Sequence, residues 1–397
     1  MNVRTYFKAI TVLVLGAISL TGCGKEDIPD PAPVTAPFPD FYFGADLSYV
    51  NQILDKGGVY KDQSQAQSPY KIFKDHGANL VRFRLWHTPT WTKEVYGAEG
   101  TQQYSDLADV EKGIRLAKAQ GMAVLLDFHY SDTWADPGKQ AVPAAWAAIT
   151  DPQVLQDSVY NYTKKTLAYL NGKGLMPELV QIGNETNGGM LYTSAPTGFP
   201  VASMSYLGNL RQVLNSGIKA VRDVSAGSTV KSKVVLHVAD PKHVDYWFSQ
   251  VTGAGGVSDF DMIGFSYYPL WHTTVPLSQI SENVAAWKKK FNKDVILLET
   301  AYPWTTNWND TYNNQLGGQT ALPGYPYTPT GQLNFLKALT QEVKDGGGKG
   351  VVYWEPAWIS SNMKDLWGTG SSWENVALFD FMGNPVIGME YMTAAYK

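Results

Sequence analysis

Short apolar runs alternate with amphipathic segments from about residue 40 to the C-terminus. The runs have the length of buried strands, and the segments between them have the spacing of helices with one apolar face. This pattern predicts strands at 41–46, 79–86, 123–129, 179–185, 233–239, 262–268, 295–299 and 350–354. It predicts helices at 106–120, 153–170, 205–222, 277–291 and 331–344.

Eight strands, each followed by a helix or a long loop, favour one α/β domain, a closed (β/α)8 TIM barrel, over an open doubly wound sheet. The predicted loops after the third, seventh and eighth strands are long and rich in Trp, Tyr, Asn, Gly and Pro. Such loops elaborate the C-terminal face of a barrel, where active sites lie. Gly121, Gly172 and Gly346 follow three of these helices and Gly77 follows a further helical segment before the second strand, and we expect all four to act as left-handed C-caps.

The N-terminus departs from the barrel pattern. Arg4 and Lys8 precede an apolar run from Ala9 to Leu20 that is too short for a stable membrane span, which predicts a signal peptide at residues 1–22. The segment that ends at Cys23 resembles a bacterial lipobox, whose cysteine becomes the lipidated N-terminus. An ordinary signal peptide with an incidental cysteine is the alternative. We favour the lipobox because the only cysteine of the chain stands where a lipobox requires it.

Residues 23–39 carry five prolines and few large apolar residues, which is typical of an extended tether, and residues 40–397 form the predicted barrel. We therefore expect a monomeric lipoprotein of the cell envelope, anchored to the membrane through Cys23. The charged residues just after Cys23 favour the outer membrane and the cell surface.

Composition narrows the class of partner. The net charge of −4 provides no basic surface for nucleic acid, so we exclude nucleic acid as a partner. The chain contains 13 Trp and 23 Tyr, which suit the apolar faces of sugar rings, although an aromatic-rich core would give the same composition. No Gly-rich dinucleotide fingerprint follows the first predicted strand, and the histidines lack the spacing of a catalytic zinc site, so no catalytic cofactor is expected.

Two glutamates stand at the ends of apolar runs. Glu185 closes the fourth predicted strand and Glu299 closes the seventh, so both are expected at the C-terminal lip of the barrel. Two carboxylates from different strands at that lip are the catalytic groups that glycoside hydrolysis requires. We expect Glu185, with a raised pKa, to be the general acid and Glu299 to be the ionised nucleophile of a retaining mechanism. Glu355, after the eighth strand, is a rival that we interpret as a rim residue.

Alternation along the strands brings further polar side chains toward the same lip. The residues predicted to surround the sugar are Arg82, Trp86, Asp127, His129, Asn184, Tyr268, Trp304 and Trp354. Arg82 is the expected counter-charge of Glu299, and Asn184 is expected to bind the hydroxyl next to the anomeric carbon. For Arg84 and Asp127, structural pairing in the barrel mouth and substrate contact are equally weighted alternatives.

The stretch from Leu126 to Gln140, continuing to Pro143 and Trp146, resembles the signature of family 53 glycoside hydrolases, the endo-β-1,4-galactanases. Further matching stretches are 44–46, 81–86, 181–185, 299–304 and 375–380. The resemblance covers the whole predicted barrel. It implies an endo-acting, retaining hydrolase of β-1,4-galactan, the side chain of pectin, with the acid/base on strand 4 and the nucleophile on strand 7.

Some bacterial members of this family hold calcium between the loops after strands 7 and 8. Here the corresponding segment has few carboxylates, and Asp310 and Glu374 are the candidate ligands of a structural calcium ion. Two alternatives to a galactanase remain from the sequence. One is a related retaining endo-β-glycanase acting on mannan, xylan or glucan, which the long signature disfavours. The other is a non-catalytic glycan-binding lipoprotein, which the presence of both glutamates disfavours.

Overall fold

The computed structural model describes residues 39–397. The predicted signal peptide, Cys23 and nearly all of the predicted tether lie outside the described residues. Eight parallel strands form a closed barrel, and the predicted fold class is confirmed. The strands are β1 Tyr42–Asp46, β2 Leu80–Leu85, β3 Ala123–Phe128, β4 Leu179–Ile182, β5 Lys233–Ala239, β6 Met262–Ser266, β7 Asp294–Glu299 and β8 Gly350–Tyr353. β1 pairs with β2 on one side and with β8 on the other, which closes the ring.

Helices surround the barrel. Within the described part they are α1 Val50–Asp55, α2 Pro69–Asp75, α3 Trp91–Glu94, α4 Leu107–Ala119, α5 Pro152–Gly172, α6 Leu207–Gly227, α7 Pro241–Thr252, α8 Ile280–Phe291 and α9 Pro329–Asp345. The five predicted helices correspond to α4, α5, α6, α8 and α9, and the sequence pattern did not single out α7. None of the helices in residues 39–397 combines the length and the apolar character that crossing a membrane requires.

Local sequence explains where several helices start. Asp106 and Thr328 cap α4 and α9 by accepting hydrogen bonds from the backbone N–H three residues later. Proline occupies the first turn of α5, α7 and α9, where its missing N–H costs nothing.

The prediction for the four glycines is correct for two of them. Gly77 and Gly121 have φ values of +100° and +68°. Gly172 still belongs to α5, and Gly346 has a right-handed φ of −72°, so the prediction is wrong at these positions. In both cases the chain continues past the predicted end before it turns.

The apolar core has two layers. Side chains inside the barrel form the inner layer, with Tyr42, Leu80, Ala123, Leu125, Leu179, Val235, Met262, Ile296, Leu298 and Val352. A larger layer fills the space between the strands and the helices and continues beneath the long loops. The polar side chains of the C-terminal lip therefore sit on a dry, rigid floor, which fixes their positions.

Long loops cover the C-terminal face as expected, at 129–151 after β3, at 300–328 after β7 and from 354 onward after β8. The segment 183–206 after β4 is also long, which the sequence pattern did not reveal.

Candidate active site

Glu185 and Glu299 lie together at the C-terminal mouth of the barrel. One oxygen of Glu185, one oxygen of Glu299 and one ring nitrogen of His237 lie within 4.8 Å of one another. Both glutamates are buried, with 8% and 4% of their surface exposed. Glu299 ends β7, whereas Glu185 follows β4 after a turn at Gly183, which has φ +79°. Glu185 itself has φ +45°, an uncommon conformation for a residue other than glycine that aims its side chain into the mouth.

Donors surround Glu299 on both carboxylate oxygens. Arg82 Nη1 lies 2.8 Å from Oε1, and the hydroxyl of Tyr268 donates to Oε2 at 3.0 Å. Burial raises the pKa of Glu299 to about 7, and the Arg82 guanidinium is the strongest influence in the opposite direction.

Glu185 has a different environment. Among the described residues, the hydroxyl that donates to it is that of Ser266, whose Oγ lies 2.5 Å from Oε1. Burial raises the pKa of Glu185 well above its usual value, and the negative charge of Glu299 raises it further. Of the two carboxyl groups, Glu185 is therefore the one that retains a proton, and Glu299 is the one that Arg82 favours as an anion.

Arg82 organises the floor of the site. Its guanidinium contacts Asp46 at 3.1 Å and Asp127 at 2.8 Å, in addition to Glu299, and it donates to the side-chain oxygen of Asn184 at 2.7 Å. Arg82 and Asp127 have no exposed surface. The expected sugar contact of these two side chains is therefore not supported, since both are fully buried in ion pairs. For Asp127, structural pairing is the alternative that the structure favours.

His129 and Trp86 form a supporting layer beside this floor. His129 Nε2 lies 3.1 Å from Asp127, and the indole N–H of Trp86 donates to His129 Nδ1 at 3.1 Å. Trp86 has no exposed surface because Trp91 and Trp134 pack against it at ring distances of 5.2 and 5.3 Å. The predicted sugar contact of Trp86 is corrected accordingly, and Trp91 and Trp134, which pack against it, are both partly exposed.

A cavity of about 380 Å³ opens among the loops after β3, β7 and β8, and neither Glu185 nor Glu299 lines it. It is lined by Trp134, Asp136, Lys139, Tyr312, Gln315, Trp354, Trp358, Asp365, Trp367, Ser372 and Trp373. Trp354 was predicted here, whereas the other aromatic residues were not. Their signal in the sequence was the density of Trp and Tyr in the loops after β3, β7 and β8. Trp304 does not line this cavity, because it packs on Phe381 at a ring distance of 4.9 Å.

Arg84 and Glu355 form a second buried ion pair, with Nη1 2.6 Å from Oε1. The Arg84 guanidinium lies between the rings of Tyr49 and Trp134, at 4.1 and 4.2 Å. Glu355 is only 1% exposed, so the interpretation of Glu355 as a rim residue is wrong. The Arg84–Glu355 pair packs against Trp134, which lines the cavity, and helps to hold this ring in place. Neither Arg84 nor Glu355 lines the cavity.

The possible structural calcium site near Asp310 and Glu374 stays a prediction. Asp310 accepts backbone N–H groups of Tyr312 and Ser371 at 2.7 and 2.8 Å. Glu374 accepts the backbone N–H of Asn309 at 2.7 Å and the hydroxyl of Ser360. In this structure the two side chains join the loops after β7 and β8 by hydrogen bonds.

The chain resembles known proteins over nearly its whole length. A family model described as "Glycosyl hydrolase family 53" matches residues 42–392. An "Arabinogalactan endo-beta-1,4-galactanase" of Cellvibrio japonicus is 45% identical over 94% of this chain and 92% of that protein. An "Endo-beta-1,4-galactanase" of Bacillus subtilis is 33% identical over 88% of this chain and 85% of that protein. The solved "Ignisphaera aggregans GH53 catalytic domain" superposes with a TM-score of 0.79 at 32% identity, covering 92% of this chain and 99% of that chain.

Proposed function

The chain belongs to glycosyl hydrolase family 53, and we propose that it is an endo-acting, retaining glycosidase that hydrolyses β-1,4-galactosidic bonds in galactan. The relatives at 45% and 33% identity are named as endo-β-1,4-galactanases, and they cover most of this chain. Galactan is accordingly the substrate, and the side chains of pectin are its natural source.

The proposal depends above all on the separation of the two carboxyl groups. Their nearest oxygens lie within 4.8 Å. Retaining glycosidases have carboxyl groups about 5–5.5 Å apart, whereas inverting enzymes need about 6.5–9.5 Å to admit a water molecule. The observed separation supports direct attack by one carboxylate on the sugar.

In the first step Glu299 attacks the anomeric carbon from below, and Glu185 gives its proton to the departing glycosidic oxygen. A covalent galactosyl-enzyme forms and the shortened chain leaves. In the second step the ionised Glu185 takes a proton from water, the water oxygen attacks the anomeric carbon, and Glu299 is released. Two displacements restore the β configuration. Every group in these steps is a side chain or water, and neither a cofactor nor a metal ion takes part.

Several neighbours would hold the sugar during these steps. Asn184 uses one amide hydrogen to bind the carbonyl of Ala135 at 2.8 Å, which leaves the other free for the hydroxyl next to the anomeric carbon. Tyr268, 5% exposed, keeps the attacking oxygen of Glu299 in place. Trp354 and Trp134, whose rings are 5.8 Å apart, offer flat apolar surfaces on the adjoining wall.

The alternatives receive less support. A mannanase, xylanase or glucanase of the same mechanism would share the two glutamates, but the family and the named relatives point to galactan. A binding protein without activity would not require two buried glutamates in unequal environments, with Arg82 in direct contact with Glu299 and the charge of Glu299 raising the pKa of Glu185.

The test of the proposed function is to incubate the purified protein with galactan, mannan, xylan and β-glucan. We expect long oligosaccharides to appear early, from galactan only, and NMR of the fresh products to detect the β anomer first. Initial release of the α anomer would contradict retention, and equal activity on mannan or xylan would contradict the substrate. Light scattering of the same preparation tests whether the protein is a monomer. A monomer is expected because one chain supplies all residues of the site.

We further propose that the protein is a lipoprotein of the cell envelope, anchored through Cys23 in the outer membrane and facing outward. The support is the sequence alone: an apolar run ends at the sole cysteine, and a proline-rich segment separates it from the barrel. An anchor with a tether would hold the cavity close to the cell while leaving it open to a polymer.

Replacement of Cys23 by serine is expected to move the protein from the membrane fraction to the soluble fraction, because the acyl chains can no longer be attached. Immunoblots of fractionated cells measure this, and protease treatment of intact cells tests outward exposure of the wild-type protein. Replacement of Ser48, which lies in the barrel, by alanine is the control. It should leave the distribution of the protein between the membrane and soluble fractions unchanged. A wild-type protein found only in the soluble fraction would contradict the anchor.

A further inference from the structure

His237 is a buried ionisable residue that the two-step mechanism does not use. It lies on β5, has no exposed surface, and one of its ring nitrogens is within 4.8 Å of both glutamates. Its Nε2 lies 2.9 Å from Ser266 Oγ, and Ser266 Oγ lies 2.5 Å from Glu185 Oε1. A continuous hydrogen-bonded path therefore connects the imidazole to the carboxyl group that serves as acid and base.

The direction of this path follows from the partners of the other ring nitrogen. The backbone N–H of Glu185 points at His237 Nδ1 at 3.3 Å, and this buried N–H has no other acceptor among the contacts of the described residues. The two amide hydrogens of Gln181 go to the carbonyl of Gly183 and to Asn184 Oδ1, both at 3.0 Å. Asn184 Oδ1 lies 2.9 Å from Nδ1, but it already accepts from Arg82 and Gln181 at 2.7 and 3.0 Å, which occupies its two lone pairs. Nδ1 is thus the acceptor, and Nε2 carries the proton.

With this tautomer, each group donates toward Glu185. His237 Nε2–H donates to Ser266 Oγ, and the Ser266 hydroxyl donates to Glu185 Oε1. A buried carboxylate gains most from such a donor, because no water replaces it. Burial also lowers the pKa of His237 well below its usual value, aided by the positive charge of Arg82, so the imidazole stays neutral and keeps this role over the working pH range.

We propose that His237 and Ser266 form a hydrogen-bond relay that holds Glu185 in position and stabilises its carboxylate form. This inference rests on the proposed function, in which Glu185 must exist as an acid in the first step and as a carboxylate in the second. Burial and Glu299 both favour the protonated acid, so without a donor Glu185 would be slow to serve as the base. His237 is accordingly a positioning residue, which acts on the substrate only through Ser266 and Glu185.

Replacement of Ser266 by alanine tests the relay. The basic limb of the kcat/KM profile against pH reports loss of the proton from Glu185 in the free enzyme. Removing the donor destabilises the carboxylate and raises the pKa of Glu185, so this limb moves to higher pH, by about one unit. The other charged or titratable groups near Glu185 in the described residues include Glu299, Asp136, Arg82, Tyr268 and His237, and all remain unchanged in the variant.

The controls separate the relay from a structural effect. Replacement of Ser266 by threonine keeps the hydroxyl and should leave the basic limb at its wild-type position. Replacement of Ser225 by alanine removes another buried hydroxyl, on α6 and without a hydrogen-bond partner, and should change nothing. An unchanged or lowered basic limb in the Ser266→Ala enzyme would overturn the relay.

The contribution of His237 is tested by its replacement with asparagine, which removes the Nε2 donor. We expect a shift of the basic limb in the same direction, and no further shift when Ser266→Ala is added, because both changes interrupt one path. Should the His237 variant fail to fold, nitrogen NMR of the wild-type protein labelled at histidine decides. The signals of His237 should be those of a neutral, Nε2-protonated imidazole that does not titrate, and an Nδ1-protonated His237 would overturn the proposal.

The wild-type assay separates the two proposals. A wild-type protein without activity on galactan contradicts the proposed function, whereas an active wild type with an unshifted Ser266→Ala profile contradicts only the relay.

Discussion

Replacement of Glu299 by alanine is expected to lower kcat on galactan by roughly 10⁴- to 10⁶-fold, as removal of a nucleophile does in other hydrolases that form covalent intermediates. The covalent galactosyl-enzyme can no longer form, and the cavity left by the side chain has no group that reaches the anomeric carbon. Initial rates of reducing-sugar release, together with mass spectrometry of the protein during turnover, measure both consequences.

The Glu299→Ala protein should remain folded, because Arg82 keeps two carboxylate partners, Asp46 and Asp127, at 3.1 and 2.8 Å. Loss of a buried charge that leaves an unpaired partner would be costly, but here the partner is not left unpaired. Azide, a small nucleophile, should fill the cavity and restore turnover of an activated aryl galactoside, giving the α-galactosyl azide.

Replacement of the exposed Glu282, on α8, by alanine is the matched control and should leave kcat unchanged. A Glu299→Ala enzyme with more than about one per cent of wild-type activity would assign the nucleophile elsewhere. A β-configured azide product would do the same, since it requires an attack from the opposite face.

Much of this site was predictable from the sequence because strand ends determine it. An apolar run that stops at a carboxylate specifies both the strand and the lip on which the side chain lies, and this was sufficient for Glu185 and Glu299. Period-two alternation likewise placed Arg82 on the inner face of β2, where it meets Glu299.

The alternation of side chains along a strand could not predict how deeply each side chain is buried. Trp86 and Asp127 point toward the predicted face, yet loop residues from distant parts of the chain cover them, so they support the site rather than line it. Glu355 was placed on the rim for the same reason, since nothing near it in sequence indicates that Arg84 would bury it. The burial of these side chains depends on how the long loops fold over the barrel, and the loop conformation depends on tertiary contacts.

His237 illustrates a second limit. Its position on the inner face of β5 was available from the strand pattern, but its role depends on Ser266 of β6 and Glu185 after β4. A contact among three strands has no local signature. The barrel does, however, place the ends of β4, β5 and β6 side by side, so the identity of the fold indicates where such partners should be sought.

The charges around Arg82 clarify how the two glutamates divide their roles. One guanidinium faces three carboxyl groups, Asp46, Asp127 and Glu299, while Glu185 lies outside this set and accepts from the Ser266 hydroxyl. A positive charge that contacts Glu299 directly stabilises the anion there, and the anion in turn makes ionisation of Glu185 less favourable. The same arrangement thus makes Glu299 the more readily ionised of the two carboxyl groups and Glu185 the one that retains a proton.

Replacement of Glu185 by alanine should therefore have an effect that depends on the leaving group. On galactan, whose departing hydroxyl needs a proton, we expect kcat/KM to fall by about 10²- to 10⁴-fold, and the basic limb of its pH profile to disappear. On a dinitrophenyl β-galactobioside, whose leaving group needs no proton, formation of the galactosyl-enzyme should stay near the wild-type rate. Its breakdown should be slow because no base activates water, so the intermediate should accumulate as a burst of dinitrophenol.

Azide distinguishes this variant from the Glu299 variant. An anion needs no general base, so it should accelerate turnover of the Glu185→Ala enzyme and give the β-galactosyl azide, because it attacks the intermediate from the face that water normally uses. Replacement of Glu185 by glutamine, of nearly equal size, controls for the space left by alanine and should also lose general acid catalysis. An equal loss of rate on galactan and on the activated substrate would mean that Glu185 does not protonate the leaving group. Removal of a proton donor lowers the rate on galactan more than the rate on a substrate whose leaving group needs no proton.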